Sequence, residues 1–357
     1  MRITINEPNL RNAAIALLLA TAAIGVDTRL AQKIGIIRDG LPYDGVGYTI
    51  EARGLYLAAV QHGWLSTLYW KVARAPQGIR RFDPAWKLLM TLHFGVLGDG
   101  LWQVYTVRFW QVAGFLYLTV WLGRRHGGEG FAICMAAAAT MLPTISPNVI
   151  AALGSASTKS FDIDTPYLAD LRPDMLYSVL LVSALVILVE RARSPNAYVM
   201  IFDGMLAGAA ILVKSSTAPL TIGIWGLALL YFGSWHLREL PRLFQLYAWA
   251  CAAFMLLFLP WGLAGGFDAT LRYIKDVMGP EGAFQYGLRD ASVVRTLAYY
   301  WTWFRYHMGI APALALAALA GIRVVWPRAL TFASSWPDLF AYGGFALILY
   351  AMSSIGK

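Results

Sequence analysis

Charged residues and cysteines are both scarce in this chain. Only 14% of its 357 residues are Asp, Glu, Lys or Arg, whereas about a quarter is usual for a soluble domain. Hydrophobic residues make up 58% of the sequence, and the mean hydropathy is +0.55. This composition excludes an ordinary soluble protein. It predicts an all-α polytopic membrane protein, because helices satisfy their own backbone hydrogen bonds inside a bilayer.

The two cysteines, Cys134 and Cys251, fall within apolar runs, which predicts small buried side chains and no disulfide. The five histidines show no HExxH or CxxC-type spacing, so no zinc site is encoded in this way. The net charge of +9 comes from basic residues spread along the chain. We therefore expect membrane lipids with anionic headgroups as partners, and no nucleic acid.

Nine apolar segments approach the length of about 20 residues that a spanning helix needs. With the N-terminus inside, each inner connection carries two arginines, and Arg2 and Arg11 lie at the N-terminal end of the chain, as the positive-inside rule requires. The first segment imitates a signal peptide, but we expect it to be retained as a helix. The predicted spans are 10–27, 103–123, 130–146, 174–190, 197–213, 217–234, 246–264, 300–322 and 338–354.

This topology makes residues 1–357 a single transmembrane domain, and it leaves open a continuation beyond residue 357 by further helices or a soluble domain. Tryptophans alternate with basic residues in the first outer loop, as at Trp86 and Lys87, which predicts helices that lie in the membrane interface. The inner connections are short and basic, so the outer face is expected to carry the function. The long outer loops are 28–102, 147–173 and 265–299.

A polar, glycine-rich segment at residues 38–53 follows the first span. It contains Asp39 and Asp44, with Tyr48 one helical turn after Asp44. A carboxylate is costly in a membrane unless it has a task, and one in this segment is suited to accept a proton from a hydroxyl or amine nucleophile. The alternative is a simple turn, since Asp and Gly are ordinary turn residues. The membrane context favours the catalytic interpretation.

Four aspartates lie within 13 residues at the end of the second outer loop and the start of the fourth span, among them Asp162, Asp164 and Asp174. Carboxylate oxygens are suited to bind a divalent cation, but the EF-hand pattern is not met, and a solvated loop is favoured for Asp162 and Asp164. Asp174 follows a proline and suits a helix N-terminus. Together with Arg172, it is equally well placed to bind a substrate at the mouth of a span.

Basic residues mark the outer ends of two spans. Lys214 ends the fifth span, where it either extends to the interface or holds a phosphate as a point charge. Arg289, Arg305 and His307 flank an aromatic approach to the eighth span. The alternatives for them are an aromatic belt with headgroup contacts and a substrate site.

Two charged residues within predicted spans are expected to have no functional role. Arg108 lies near the start of the second span and is expected to extend outward to the membrane surface. Asp203 lies near the inner end of the fifth span and is expected to be structural.

An N-terminal span, an outer loop with Asp-x-x-x-Tyr and an outer Arg-Pro-Asp before a later span resemble the GT-C glycosyltransferases. The similarity is to the branch of protein O-mannosyltransferases and aminoarabinose transferases. It covers most of the chain in layout, but only these few motifs are specific. Members of that branch often carry Asp-Glu in the first loop, whereas Gly45 follows Asp44 here. Asp39 is therefore the alternative position for the catalytic acid.

The resemblance implies an inverting transfer of a sugar from a polyprenyl-phosphate donor to a lipid, glycan or protein acceptor. Asp44 would deprotonate the acceptor, and Arg172 or Lys214 would stabilise the departing phosphate. Tyr48 and Asp174 are further candidates for substrate binding. Some members use a divalent cation, so Mg²⁺ or Mn²⁺ stays open as a cofactor. The expected location is the bacterial inner membrane, with the active site on the periplasmic side.

Three other function classes remain as alternatives. An O-antigen polymerase or ligase also acts on lipid-linked glycans and would depend on outer-loop arginines more than on an aspartate. A transporter or flippase should carry functional charges near the bilayer midplane, where the spans of this chain are nearly free of charge. The last alternative is a non-catalytic scaffold subunit.

Overall fold

A computed structural model describes residues 7–34, 43–64, 83–140, 173–191, 196–234 and 239–278 of the protein. Within these ranges almost every residue is helical and no strand forms, which confirms the all-α part of the predicted fold. The α-helices are α1 (Glu7–Ile34), α2 (Tyr43–His62), α3 (Pro84–Leu97), α4 (Leu101–Thr106), α5 (Arg108–Thr140), α6 (Asp174–Arg191), α7 (Ala197–Val213), α8 (Ala218–Ser234), α9 (Leu240–Trp261) and α10 (Phe267–Met278).

Two of these helices are long and apolar enough to cross a membrane, as judged by length and composition. They are the Asn9–Leu30 stretch of α1 and the whole of α9. Shorter apolar stretches lie in α6, α7 and α8. The predicted spans 300–322 and 338–354 lie outside the described residues, so the count of nine spans stays a prediction.

The bounds of α7 coincide with the predicted span 197–213. Asn196 caps the helix by accepting a hydrogen bond from the backbone amide of Val199 at 3.0 Å, which satisfies one of the donors left free at a helix start. The helix ends at Val213, and the backbone leaves the helical region at Lys214. Local sequence signals therefore define this element at its N-terminus.

The described helices group into two compact units. One contains α1, α4 and α5, and the other contains α3, α6 to α10 and most of α2. The single-domain assignment of residues 1–357 stays a prediction.

In the first unit α1 packs along α5. Gly128, with a φ of 80°, interrupts α5, and this break falls between the predicted spans 103–123 and 130–146. Arg108 and Asp27 form a buried ion pair at 3.3 Å. The expectation that Arg108 extends outward is therefore wrong, because a charged partner on α1 makes burial of the guanidinium affordable.

In the second unit α7 packs between α6 and α9. Gly204 and Gly208 let α7 approach α9 closely, since a Cβ at either position would meet the backbone of α9. Asp203 is fully buried, and its Oδ2 accepts a hydrogen bond from Trp225 Nε1 at 2.8 Å. This contact ties α7 to α8 and agrees with a structural role for Asp203.

Helices α2 and α3 come from the predicted first outer loop. The interfacial role predicted for Trp86 and Lys87 is wrong, because both side chains, which belong to α3, are buried.

The expected burial of Cys251 is also wrong: the thiol is free and the residue is exposed on α9. A π-helical turn at Gly262–Gly266 follows α9, so the predicted outer loop at 265–299 begins with helix α10.

Candidate functional site

Lys214 is the predicted site residue that the structure describes most fully. It lies between the end of α7 and a short 3-10 turn, Ser215–Thr217, and it is half-buried. Its amide donates to the carbonyl of Ala210 at 3.0 Å, and its own carbonyl accepts from the amide of Thr217 at 3.1 Å. The hydroxyl of Thr217 donates to the same carbonyl at 2.6 Å. The backbone of Lys214 is therefore held on both sides, at a helix C-terminus where a cation is favourable.

A buried aspartate forms hydrogen bonds with this turn. We call residues 214–217 the Lys214 turn. Ser215 donates to Asp83 Oδ1 through its amide at 2.7 Å and through its hydroxyl at 3.0 Å. In return, the amide of Asp83 donates to Ser215 Oγ at 3.2 Å. Both residues are buried, and 132 residues separate them in sequence. Three hydrogen bonds thus join the start of α3 to the turn that carries Lys214.

Asp83 adopts a left-handed backbone conformation, with φ 52° and ψ 50°. It is the one non-glycine residue with a positive φ in the described part of the chain. Such a conformation costs about 1–3 kcal/mol in a non-glycine residue and persists only where surrounding contacts impose it. The hydrogen bonds with Ser215 are contacts of this kind.

Asp83 begins a row of polar residues on α3 that we call the α3 polar stripe: Asp83, Lys87 and Thr91. A spacing of four residues places them on one side of the helix. Lys87 Nζ lies 2.7 Å from Glu51 Oε2 of α2, and both side chains are largely buried. Thr91 Oγ1 lies 3.3 Å from the carbonyl oxygen of Ala52. The stripe therefore joins α3 to α2 and to the Lys214 turn through polar contacts.

Asp83, Ser215, Lys87 and Glu51 are not among the site residues predicted from the sequence. A signal was present, because Asp83 precedes a proline at the first helical position and Lys87 and Thr91 follow at helical spacing. Buried polar residues of this kind need partners. The partners lie far away in the sequence, so the pattern alone could not name them.

The first-loop candidates lie in or before α2. Because α2 begins at Tyr43, the segment from Asp44 to Tyr48 is helical, and the simple-turn alternative is wrong. Asp44 and Tyr48 are one turn apart in this helix, and Tyr48 is half-buried. Asp39 lies outside the described residues.

Of the remaining candidate site residues, the structure describes only some, and those only in part. Asp174 is the first residue of α6, as predicted for a helix N-terminus. The side chains of Asp44 and Asp174 lie outside what the structure describes. The candidates wholly outside the described residues are Asp162, Asp164, Arg172, Arg289, Arg305 and His307.

Within the described ranges, no three His, Cys, Asp or Glu side chains converge in a way that would hold a metal ion. The described donors therefore do not make a site for Mg²⁺ or Mn²⁺. No protein-family model, curated protein or solved structure matches this chain.

Proposed function

We propose that the protein is an integral-membrane glycosyltransferase. It moves a sugar from a polyprenyl-phosphate donor to a lipid, glycan or protein acceptor at the outer face of the membrane. The observation that supports this most is Lys214, a half-buried cation on a hydrogen-bonded turn at the end of an apolar helix. A lysine in such a place is suited to hold a phosphate that carries a lipid tail.

Apolar side chains on the surface support a membrane location. Leu18 of α1 is 72% exposed, and Phe244 and Leu256 of α9 are 67% and 75% exposed. These residues lie on the two helices that are long enough to span. Large apolar side chains facing outward on such helices are expected where lipid covers them. The proposed topology has nine spans in the bacterial inner membrane, with the periplasmic side outside.

The proposed reaction is a single inverting displacement. The acceptor oxygen or nitrogen forms a bond to the anomeric carbon of the sugar. The bond from that carbon to the phosphate oxygen breaks, and its electron pair leaves with the polyprenyl phosphate. The carboxylate of Asp44 takes the proton of the acceptor, with Asp39 as the alternative base.

Negative charge grows on the phosphate oxygen as the donor bond breaks. A cation fixed beside that oxygen stabilises the transition state more than the bound donor. Lys214 is the described candidate for this role, and Arg172 is a second one from the sequence. Tyr48, Asp174, Arg289, Arg305 and His307 are proposed to bind substrate on the same face.

One observation favours the transporter alternative. Asp203 lies inside the apolar helix α7 and is fully buried. Its Oδ1 has no hydrogen-bond partner among the described residues. An ionisable residue within a span is a common mark of an ion or substrate pathway. The hydrogen bond from Trp225 gives Asp203 a structural role, and we therefore rank transport second.

The proposal is tested with purified protein in nanodiscs and a panel of polyprenyl-phosphate-linked sugars. Lipid-phosphate release and sugar transfer to an acceptor extract are measured together. We expect Lys214→Ala to lower kcat by about 100-fold or more, as removal of one stabilising donor does in other transfer enzymes. KM for the donor should change less, because the charge develops mainly in the transition state.

Arg242→Ala is the matched control. Arg242 pairs with Glu239 at 2.9 Å, and both side chains are more than half exposed. The control removes a cation without touching the Lys214 turn, so turnover should persist. Proteoliposomes that carry an intact lipid-linked sugar across the bilayer without releasing lipid phosphate would contradict the proposal and favour the flippase.

A further inference from the structure

We propose that Asp83 is a positioning residue that holds the Lys214 turn in place for the reaction. This inference rests on the proposed function for its kinetic consequence, but the contact itself does not depend on that function. Asp83 is not among the predicted site residues, and it lies outside the predicted spans. Its carboxylate, Ser215 and the backbone of Lys214 form one continuous hydrogen-bonded connection.

The strain at Asp83 supports this role. A buried aspartate in the left-handed region combines two unfavourable features: backbone strain and loss of solvation. Asp83 combines both, although the helix start receives no side-chain cap from it. The carboxylate is directed instead to Ser215 on another element. A residue that only began α3 would be better served by an ordinary capping conformation.

The geometry explains how Asp83 acts on Lys214. Ser215 follows Lys214 directly, and Asp83 Oδ1 accepts from both the amide and the hydroxyl of Ser215. The peptide plane between Lys214 and Ser215 is therefore fixed from one side. The hydroxyl of Thr217 fixes the Lys214 carbonyl from the other. Loss of the Asp83 contact frees this plane to rotate and lets the ammonium group of Lys214 move.

The first experiment measures kinetics of Asp83→Gly, which relieves the positive φ but removes the carboxylate. A small displacement of a catalytic group costs up to about 100-fold. We expect kcat to fall by about 10- to 100-fold while KM for the donor changes by less than about 3-fold. Asp83→Asn keeps the Oδ1 acceptor and tolerates the left-handed region. Its kcat should therefore stay near the parent value, in contrast to that of Asp83→Gly.

The second experiment measures position without relying on activity. The rate at which an amine-reactive reagent labels Lys214 is followed by mass spectrometry, with Lys275 of α10 as the internal reference. We expect Asp83→Gly to raise the labelling of Lys214 several-fold and Asp83→Asn to leave it unchanged. Asp99→Ala is the matched control, since Asp99 pairs with the exposed Arg53 at 2.6 Å.

The two experiments separate the two proposals. Unchanged Lys214 labelling in folded Asp83→Gly overturns the positioning role, whatever the protein catalyses. Raised labelling with normal turnover in Lys214→Ala supports the positioning of the turn but refutes the phosphate role of Lys214. If Asp83→Gly does not fold, Ser215→Ala tests the same connection, because it removes the two hydrogen bonds that the hydroxyl makes and keeps the one from the Ser215 amide. Unchanged labelling in folded Ser215→Ala would then overturn the proposal.

A double-mutant comparison completes the kinetic test. If Asp83 acts through Lys214, Asp83→Gly should cost nothing further in a Lys214→Ala background. An equal loss in both backgrounds would show that Asp83 acts elsewhere and would overturn the inference.

Discussion

At the scale of single residues, the lysine and the arginine that are buried in the described helices each pair with an acidic side chain, Lys87 with Glu51 and Arg108 with Asp27. Lys87 and Glu51 illustrate this, since their charged atoms lie 2.7 Å apart and the side chains are only 8% and 17% exposed. A buried ion pair gains little over an apolar pair, but removal of one partner leaves the other charge uncompensated. The pair therefore matters more for the arrangement of α2 and α3 than for total stability.

This asymmetry predicts the behaviour of three variants. Lys87→Met should destabilise the protein by about 3–5 kcal/mol, because Glu51 stays buried without its cation. The double variant Lys87→Met/Glu51→Gln should recover part of that loss. Denaturant unfolding in detergent measures both. Arg53→Ala, which breaks the exposed pair with Asp99, should cost less than about 1 kcal/mol.

Equal losses in the single and double variants would contradict this prediction. Such a result would mean that packing of the Lys87 side chain, and not its charge, joins α3 to α2.

At the scale of elements, α7 and α9 approach each other closely where α7 carries glycines. A Cβ at Gly204 would collide with the carbonyl of Ala250, whereas a Cβ at Gly208 would lie 3.1 Å from the carbonyl oxygen of Phe254. In apolar surroundings, small residues permit close packing of helix backbones. The register of α7 against α9 therefore depends on Gly204 more than on Gly208.

Alanine substitutions test whether Gly204 matters more than Gly208 for the packing of α7 against α9. Gly204→Ala forces the helices apart and should cost about 1–3 kcal/mol, as overpacking does elsewhere. Gly208→Ala should cost less. Gly223→Ala in α8 is the control, because nothing lies within 4 Å of its added Cβ and alanine favours a helix by up to about 1 kcal/mol over glycine.

Thermal unfolding of the three variants gives the comparison. A melting temperature of Gly204→Ala at or above that of Gly223→Ala would contradict the close approach of α7 and α9.

At the scale of the whole molecule, the proposed function requires the catalytic groups to share one side of the membrane. The topology predicted from arginine distribution puts 28–102, 147–173 and 265–299 outside. Labelling of single cysteines tests it directly, in a background where Cys134 and Cys251 are replaced by alanine. The replacement is needed because both thiols are free and Cys251 is exposed.

Ser157→Cys should react with a membrane-impermeant maleimide in intact cells, whereas Ser194→Cys should react only after permeabilisation. Both positions come from the predicted loops. Labelling of position 194 in intact cells would reverse the orientation and would separate Asp44 from the outer face.

The helices themselves were largely predictable from the sequence. Apolar runs predicted α6, α7 and α8 to within a residue or two, because hydrophobicity, caps and prolines are local signals. The connection between predicted spans 103–123 and 130–146 was also anticipated, and its sharp break falls at Gly128, where a left-handed backbone suits glycine. For the described residues, the all-helical fold class is thus a property of local sequence.

The tertiary structure alone decided which polar residues meet. Asp83 and Ser215 are 132 residues apart, and Arg108 and Asp27 are 81 residues apart. No periodicity encodes such pairs, since they depend on how helices pack and on the cost of leaving a buried charge without a partner. Trp86 and Lys87 fit the sequence pattern of an interfacial helix, but both are buried, because the packing of the helices decides which side of α3 faces inward. Composition and spacing therefore determined the helices and placed Lys214 at a helix end, while packing determined the contacts that hold its turn.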